Sequence, residues 1–185
     1  MNYYISDLHF GHRNVIGFDH RPFMDRDEMD HCLIKLWNGR VQDDDNVYIV
    51  GDLCYRNDHP AEWYLRQLRG HKFLILGNHD HPILENPKAL HYLEGVEKMM
   101  RIQDDDQKIC LCHFPIAEWN GYYKGVWHVY GHIHNRISDT SNFMMTREHA
   151  LNAGCMINNY TPVTFNELVR NNEEFKKKVL ISDAD

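Results

Sequence analysis

The sequence predicts an α/β domain built on a mostly parallel sheet, and three features of it say so. Short apolar runs alternate with segments of helical periodicity through the first half of the 185-residue chain, the strand–helix–strand order whose right-handed crossovers give parallel sheets. The run Phe73-Leu74-Ile75-Leu76 is apolar at every position, as a strand covered on both faces requires. Five predicted strands also end in segments bearing Asp, Asn or His. Open α/β sheets bind ligands at the carboxyl ends of their strands, and these side chains are the groups of metal binding and proton transfer.

Taken in order, Asn2 to Ser6 reads as the first strand and ends in Asp7-Leu8-His9. Residues two apart on an extended segment face the same way, so Asp7 and His9 can converge while Leu8 turns to the core. A loop carrying Arg13, His20, Arg21 and Pro22 follows. Asp25, with Glu28 three residues on, caps a helix in which Met29, Cys32, Leu33, Leu36 and Trp37 repeat at helical spacing, ending at Gly39. Asp43-Asp44-Asp45 lacks the glycine and distal glutamate of a calcium loop and reads as a solvated turn.

The strand Asn46 to Val50 then delivers Gly51-Asp52, and Pro60 to Leu68 forms a helix with Ala61, Tyr64, Leu65 and Leu68 on one face. Lys72 to Leu76 is the next strand, opening into Gly77-Asn78-His79-Asp80. Glycine at such a point permits a tight turn or a close backbone approach. From His81 to Met100 a helix broken near Pro87 is expected, then strands at Lys98 to Gln103 and Lys108 to Cys112 around the turn Asp104-Asp105-Asp106. His113 ends the second of these. Trp127 to Tyr130 leads into Gly131-His132-Ile133-His134, Leu151 to Met156 is a further strand, and Thr164 with Glu167 caps a last helix carrying Phe165, Leu168 and Val169.

Composition narrows the function classes. A hydrophobic fraction of 43% and a charged fraction of 25% are ordinary for a soluble globular protein, and residues 1–185 read as one domain. The net charge of −7 argues against a general nucleic-acid binder, which leaves nucleic acid in play only as a small nucleotide. Five scattered cysteines without a CxxC pair indicate neither a disulfide framework nor a thiolate metal site. The N-terminus has no basic region followed by an apolar stretch, and no apolar run approaches membrane-spanning length, so the expectation is a cytoplasmic protein without a membrane partner. Fourteen histidines is a high count, and histidine is the commonest metal ligand.

Any one of these motifs is compatible with ordinary turn chemistry; five at strand ends are not. In their order, Asp7-x-His9, Gly51-Asp52, Gly77-Asn78-His79-Asp80, His113 and Gly131-His132-x-His134, the motifs resemble those of the calcineurin-like metallophosphoesterases. The resemblance runs over nearly the whole chain, with Leu151-Asn152-Ala153-Gly154 similar to the family's closing segment. It implies a four-layer α-β-β-α sandwich, two mixed sheets flanked by helices, and two divalent metal ions at the sheet edge. One ion is assigned to Asp7, His9 and His134, the other to Asn78, His113 and His132, with Asp52 between them. A nitrogen and oxygen donor set without thiolate suits Mn²⁺, Fe, Co²⁺, Ni²⁺ or Zn²⁺, and the family points to Mn²⁺.

The implied reaction is hydrolysis of a small phosphorylated substrate, a phosphodiester in preference to a phosphomonoester, by a hydroxide held between the ions. His79 is the expected general acid, with Asp80 orienting its ring. His12 and Arg21 are candidate contacts to the substrate phosphate, and Trp119, Tyr122 and Tyr123 candidate walls for a flat group. A silent scaffold of the same fold is the alternative, but every ligand and the acid are present. A nuclease is the other, and no basic track supports it.

Overall fold

Most strands bury consecutive residues, as segments covered on both faces do, and Asp25, Asn86 and Ser138 cap helices with their side chains. The structure, a computed structural model, describes residues 1–55 and 59–182; residues 183–185 of the expected 1–185 domain lie outside the described residues. The strands are β1 (Asn2–Ile5), β2 (Asn46–Ile49), β3 (His71–Ile75), β4 (Gly95–Glu97), β5 (Met99–Asp104), β6 (Gln107–Cys112), β7 (Trp127–Tyr130) and β8 (Ala150–Asn152). The helices are α1 (Arg13–Phe18), α2 (Arg26–Arg40), α3 (Ala61–Leu65), α4 (His81–Leu84), α5 (Pro87–Leu90), α6 (Asp139–Met145) and α7 (Phe165–Ser182).

Strands β1 to β4 form one sheet, parallel in all three pairings, and β5 to β8 a second in which only β5 and β6 are antiparallel. Alternation then sorts the side chains. Ile5, Val47, Ile49 and Leu74 pack under Met29, Leu33 and Trp37 of α2 and Tyr64 of α3. Their neighbours Tyr4, Tyr48, Val50 and Ile75 face the second sheet and meet Ile109, Leu111, Val129 and Leu151, with Leu168 of α7 closing the edge. Cys110, Tyr130 and Ala150 turn outward beneath Trp119, Val126 and Met144. The result is the four-layer sandwich, with the first sheet parallel throughout and only the second mixed.

Departures from the expected elements have local causes. Asp25 caps α2 as read, accepting from the Glu28 amide at 2.9 Å while Glu28 accepts from Met24 at 2.6 Å, and the helix runs past Gly39 to Arg40. Helix α1 lies where a loop is expected, because its six residues bury only Val15 and carry no apolar repeat. Asn86 accepts from the amides of Lys88 and Ala89 and splits α4 from α5 beside Pro87; the three-residue β4 follows where helix is expected. Helix α6 starts with a serine pair, Ser138 and Ser141, in place of the usual acidic partner. Trp119 is core, its Nε1 donating to Val126 at 2.6 Å; Tyr122 packs against it and Tyr123 is exposed. No helix among the described residues is long and apolar enough to cross a membrane.

The carboxyl ends of the strands are laced together. Asp7 and His9 donate backbone N–H groups to Gly51 and Asp52 at 3.0 Å each, Ser6 donates to Ala153 at 2.8 Å, and Gly131 to His113 at 2.9 Å. These bonds put the loops of both sheets on one rim.

Candidate metal centre

On that rim the strand ends deliver their polar side chains to one place. Asp52 Oδ2 lies 3.6 Å from His9 Nε2 and 3.4 Å from His113 Nε2. His134 Nε2 lies 3.6 Å from Asp7 Oδ1 and 3.2 Å from His9 Nε2. Across Asp52, Asn78 Oδ1 sits 3.2 Å from His113 Nε2 and 2.9 Å from His132 Nδ1. All seven sequence-predicted ligands are therefore brought together. Donors about 2.1 Å from a shared cation stand about 3.0–3.4 Å from one another, so these spacings fit ions held in two neighbouring sets. Asp7, His9 and His134 form one compact group; Asp7, Asp52 and His113 form another.

The backbone is bent to achieve this. Asp7, His9, Asp52, His132 and His134 take φ of +56°, +52°, +55°, +72° and +54°. Left-handed backbone costs a non-glycine residue about 1–3 kcal/mol. Five candidate ligands sharing it mark a site whose loops are over-determined by their surroundings. Glycine serves close approach instead: a Cβ on Gly77 would collide with the Asp52 carboxylate, and one on Gly131 would come 2.7 Å from Asp7 Oδ2.

Hydrogen bonds behind the donors decide which nitrogen faces inward. His113 Nδ1 pairs with the Val50 carbonyl at 2.8 Å, and His134 Nδ1 with both Asp19 oxygens at 2.8 Å. A donor Nδ1–H in each case leaves the Nε2 lone pair for a cation. Burial holds His9 neutral, with its pKa pushed down to about 2. Burial also disfavours a charged His113, but the Asp52 hydrogen bond and the charges of Asp7 and Asp52 outweigh it and raise it to about 9. Burial pushes the Asp52 carboxyl up, yet His113 and the His79 amide hold it at about 2. Two buried carboxylates facing one another across imidazoles thus attract positive charge into the centre.

His79 stands at the rim. Its amide donates to Asp52 Oδ1 at 2.9 Å and its partly exposed ring puts Nε2 4.0 Å from Asp52 Oδ2. Asp80 is placed differently from expectation. It is wholly buried and accepts from the amides of Gly77, Asp52 and Leu53 at 2.8, 2.7 and 2.9 Å. All of its strong contacts are to backbone, so it braces the second and third motif loops against each other and does not orient the His79 ring; burial raises its pKa to about 6.

Of the two expected phosphate contacts, His12 lies in the cleft, its ring stacked on Tyr55 at 4.0 Å and its buried Nδ1 without a hydrogen-bond partner among the described residues. Arg21 does not. It is buried beneath the first loop, donating to the Asp7 and Leu8 carbonyls at 2.8 and 2.9 Å and to Asp19 Oδ2 at 3.0 Å. Its guanidinium clamps the strained loop that presents Asp7 and His9.

Two residues escaped the sequence reading. Asp19 caps the C-terminus of α1 and joins Arg21 to His134. Burial pushes its carboxyl up, but His134 and Arg21 outweigh that and hold it below the usual carboxylate range. Arg136, two residues after the last motif, lines the cleft of about 460 Å³ with His9, His12 and Phe18. Its position so close to His134 was a usable signal; Asp19, in an unpatterned stretch, offered none.

No family model matches the chain. An uncharacterized protein of Methanocaldococcus jannaschii is 33% identical over 183 residues, covering 98% of this chain and 96% of its own length. The gene 66 protein of Mycobacterium phage D29 is 29% identical over 160 residues, covering 73% of this chain and 79% of its own. Among solved structures, a protein of unknown function from Aquifex aeolicus has the same fold, with a TM-score of 0.73 at 23% identity over 92% of this chain and 98% of that one.

Proposed function

We propose that the chain is a two-metal phosphoesterase acting on a small phosphodiester, of the calcineurin-like kind that its motif order resembles. The observation that carries the reading is the convergence of Asp7, His9, Asn78, His113, His132 and His134 about Asp52, at spacings of 2.9–3.6 Å. In it, Asp7, His9 and His134 would hold one divalent ion, and Asn78, His113 and His132 a second, with Asp52 lying between the two sets. Such a pair, Mn²⁺ being our first choice, supplies a hydroxide at neutral pH and a clamp for the phosphoryl oxygens.

The remaining work falls to side chains. His79, at the open edge of the centre, gives a proton to the departing oxygen, since its partly exposed ring lines the cleft with Nε2 4.0 Å from Asp52. His12, whose ring lines the cleft, is the imidazole nearest to hand for a phosphoryl oxygen, and Arg136 supplies the cationic donor first sought in Arg21. The Arg21–Asp19 pair keeps the first loop and His134 in place.

The test is to strip the protein with a chelator and restore Mn²⁺, Fe²⁺, Co²⁺, Ni²⁺ or Zn²⁺ singly. Each preparation is assayed on phosphomonoesters, cyclic nucleotides, dinucleotides and oligonucleotides. We expect hydrolysis to vanish on stripping, to return with Mn²⁺, and to favour diesters. Loss of no activity on stripping, or none with any ion, would contradict the proposal, and the second outcome would favour the silent scaffold.

A further inference from the structure

Helix α7 carries Asn171 and Asn172 in succession near its middle. Asparagine is a weak helix former, because its amide competes with the backbone for hydrogen bonds. A pair of them inside an 18-residue helix is explained by what their side chains hold. Asn172 is buried; its Oδ1 accepts from the Asn152 amide at 2.8 Å, and its Nδ2 donates to the carbonyls of Asn152 at 3.0 Å and Leu168 at 2.9 Å. Strand β8 ends the second sheet, so at Asn152 this amide takes the place of a further strand. Asn171 reaches the same segment one step along. Its Nδ2 donates to Asn158 Oδ1 at 2.9 Å, and the buried Asn158 donates to the Gly154 carbonyl at 2.9 Å.

That segment backs two of the candidate ligands. The buried Asn152 side chain donates to the His134 carbonyl at 2.7 Å while accepting from the Gly154 amide at 2.8 Å. Ala153 accepts from the Ser6 amide at 2.8 Å, and Cys155 donates its amide to the Ser6 carbonyl at 3.0 Å and its Sγ–H to the Asp7 carbonyl at 3.2 Å. Asp7 and His134 both stand at positive φ, a conformation that persists only where the surroundings enforce it. Among the described residues no hydrogen bond runs from 152–155 to Asn78, His113 or His132.

Resting on the two-metal reading above, we infer that Asn172 is a positioning residue for the ion assigned to Asp7, His9 and His134. Through Asn152 it fixes the backbone that presents His134, and with Asn171 it seats the segment that holds Asp7. A buried amide network with its partners in place specifies one arrangement. The terminal helix thereby sets the affinity of this site and leaves the set of Asn78, His113 and His132 alone.

Mn²⁺ titrated into the chelator-stripped full chain tests this, with thermal unfolding followed in parallel. We expect Asn172→Ala to weaken one of two Mn²⁺ affinities by about ten-fold, the lower end of what outer hydrogen-bond partners contribute, and to leave the other near the parent value. Val169→Ala, which loosens the same helix where it packs on the core between the sheets, should lower the unfolding midpoint and leave both affinities near the parent. Asn152→Ser removes the bond to His134 while Asn172 keeps its backbone partners, so it should reproduce the single-site loss even if Asn172→Ala does not fold. In the double variant the two losses should not add, since both act through one link. Unchanged affinities in either folded asparagine variant, an equal loss at both sites, or the same loss in Val169→Ala overturns the role of Asn172 while leaving the two-metal reading standing. A parent that binds neither Mn²⁺ nor any other candidate ion overturns that reading, and this inference with it.

Discussion

His79→Ala lowers turnover by about 10²- to 10⁴-fold, the usual contribution of a positioned proton donor, and leaves metal content at the parent level. The imidazole holds its place through its own amide, which donates to Asp52 Oδ1, and its ring lies edge-on to Tyr55 at 5.0 Å and to His9 at 5.3 Å. Truncation removes the donor without touching the seven proposed ligands. The deficit should shrink for esters that release p-nitrophenolate, because that anion departs without a proton. His9, Asp52 and His79 also lie close enough together to form a ligand group. Steady-state kinetics with metal analysis of the same samples decides between the roles: loss of an ion would make His79 a ligand, and unchanged turnover would remove it from the chemistry.

Asp19→Ala weakens the ion at His9 and His134 by about 10- to 100-fold, the scale on which outer hydrogen-bond partners act. Asp19 grips the His134 Nδ1 with both oxygens and is itself gripped by Arg21, which also holds the Asp7 and Leu8 carbonyls. Without the carboxylate, the His134 ring loses the partner that fixes its tautomer, and Arg21 is left buried with an uncompensated charge. Asp19→Asn, which keeps an acceptor but not the charge, should fall between. Isothermal titration of metal into the stripped proteins should find one affinity reduced and the other near the parent value. Two unchanged affinities would show Asp19 to be packing only.

Much of this centre was legible because buried strands announce themselves as apolar runs and the groups after them could serve only a few purposes. The alternation Tyr3, Tyr4, Ile5 splits between two cores in the structure, yet a strand buried on both faces has no polar side to betray what covers it. The second sheet was therefore drawn from the resemblance and not from the pattern. Asp80 and Arg21 were named correctly as groups near the centre and misread in role, since sequence adjacency to His79 and to the first loop says nothing of which way a side chain points. Asp80 turned into the backbone of its neighbouring loop; Arg21 turned under the strained one. The positive φ at five candidate ligands had no signal at all, as nothing about Asp or His at those positions demands it.

The account depends on two cations sharing Asp52, and anomalous diffraction from crystals grown with Mn²⁺ tests that most directly. It predicts two peaks about 3.5–4 Å apart, both in contact with Asp52, one beside His9 and His134 and the other beside Asn78, His113 and His132. A map with no peak at Asp52, or with the ions bound away from these side chains, would contradict it.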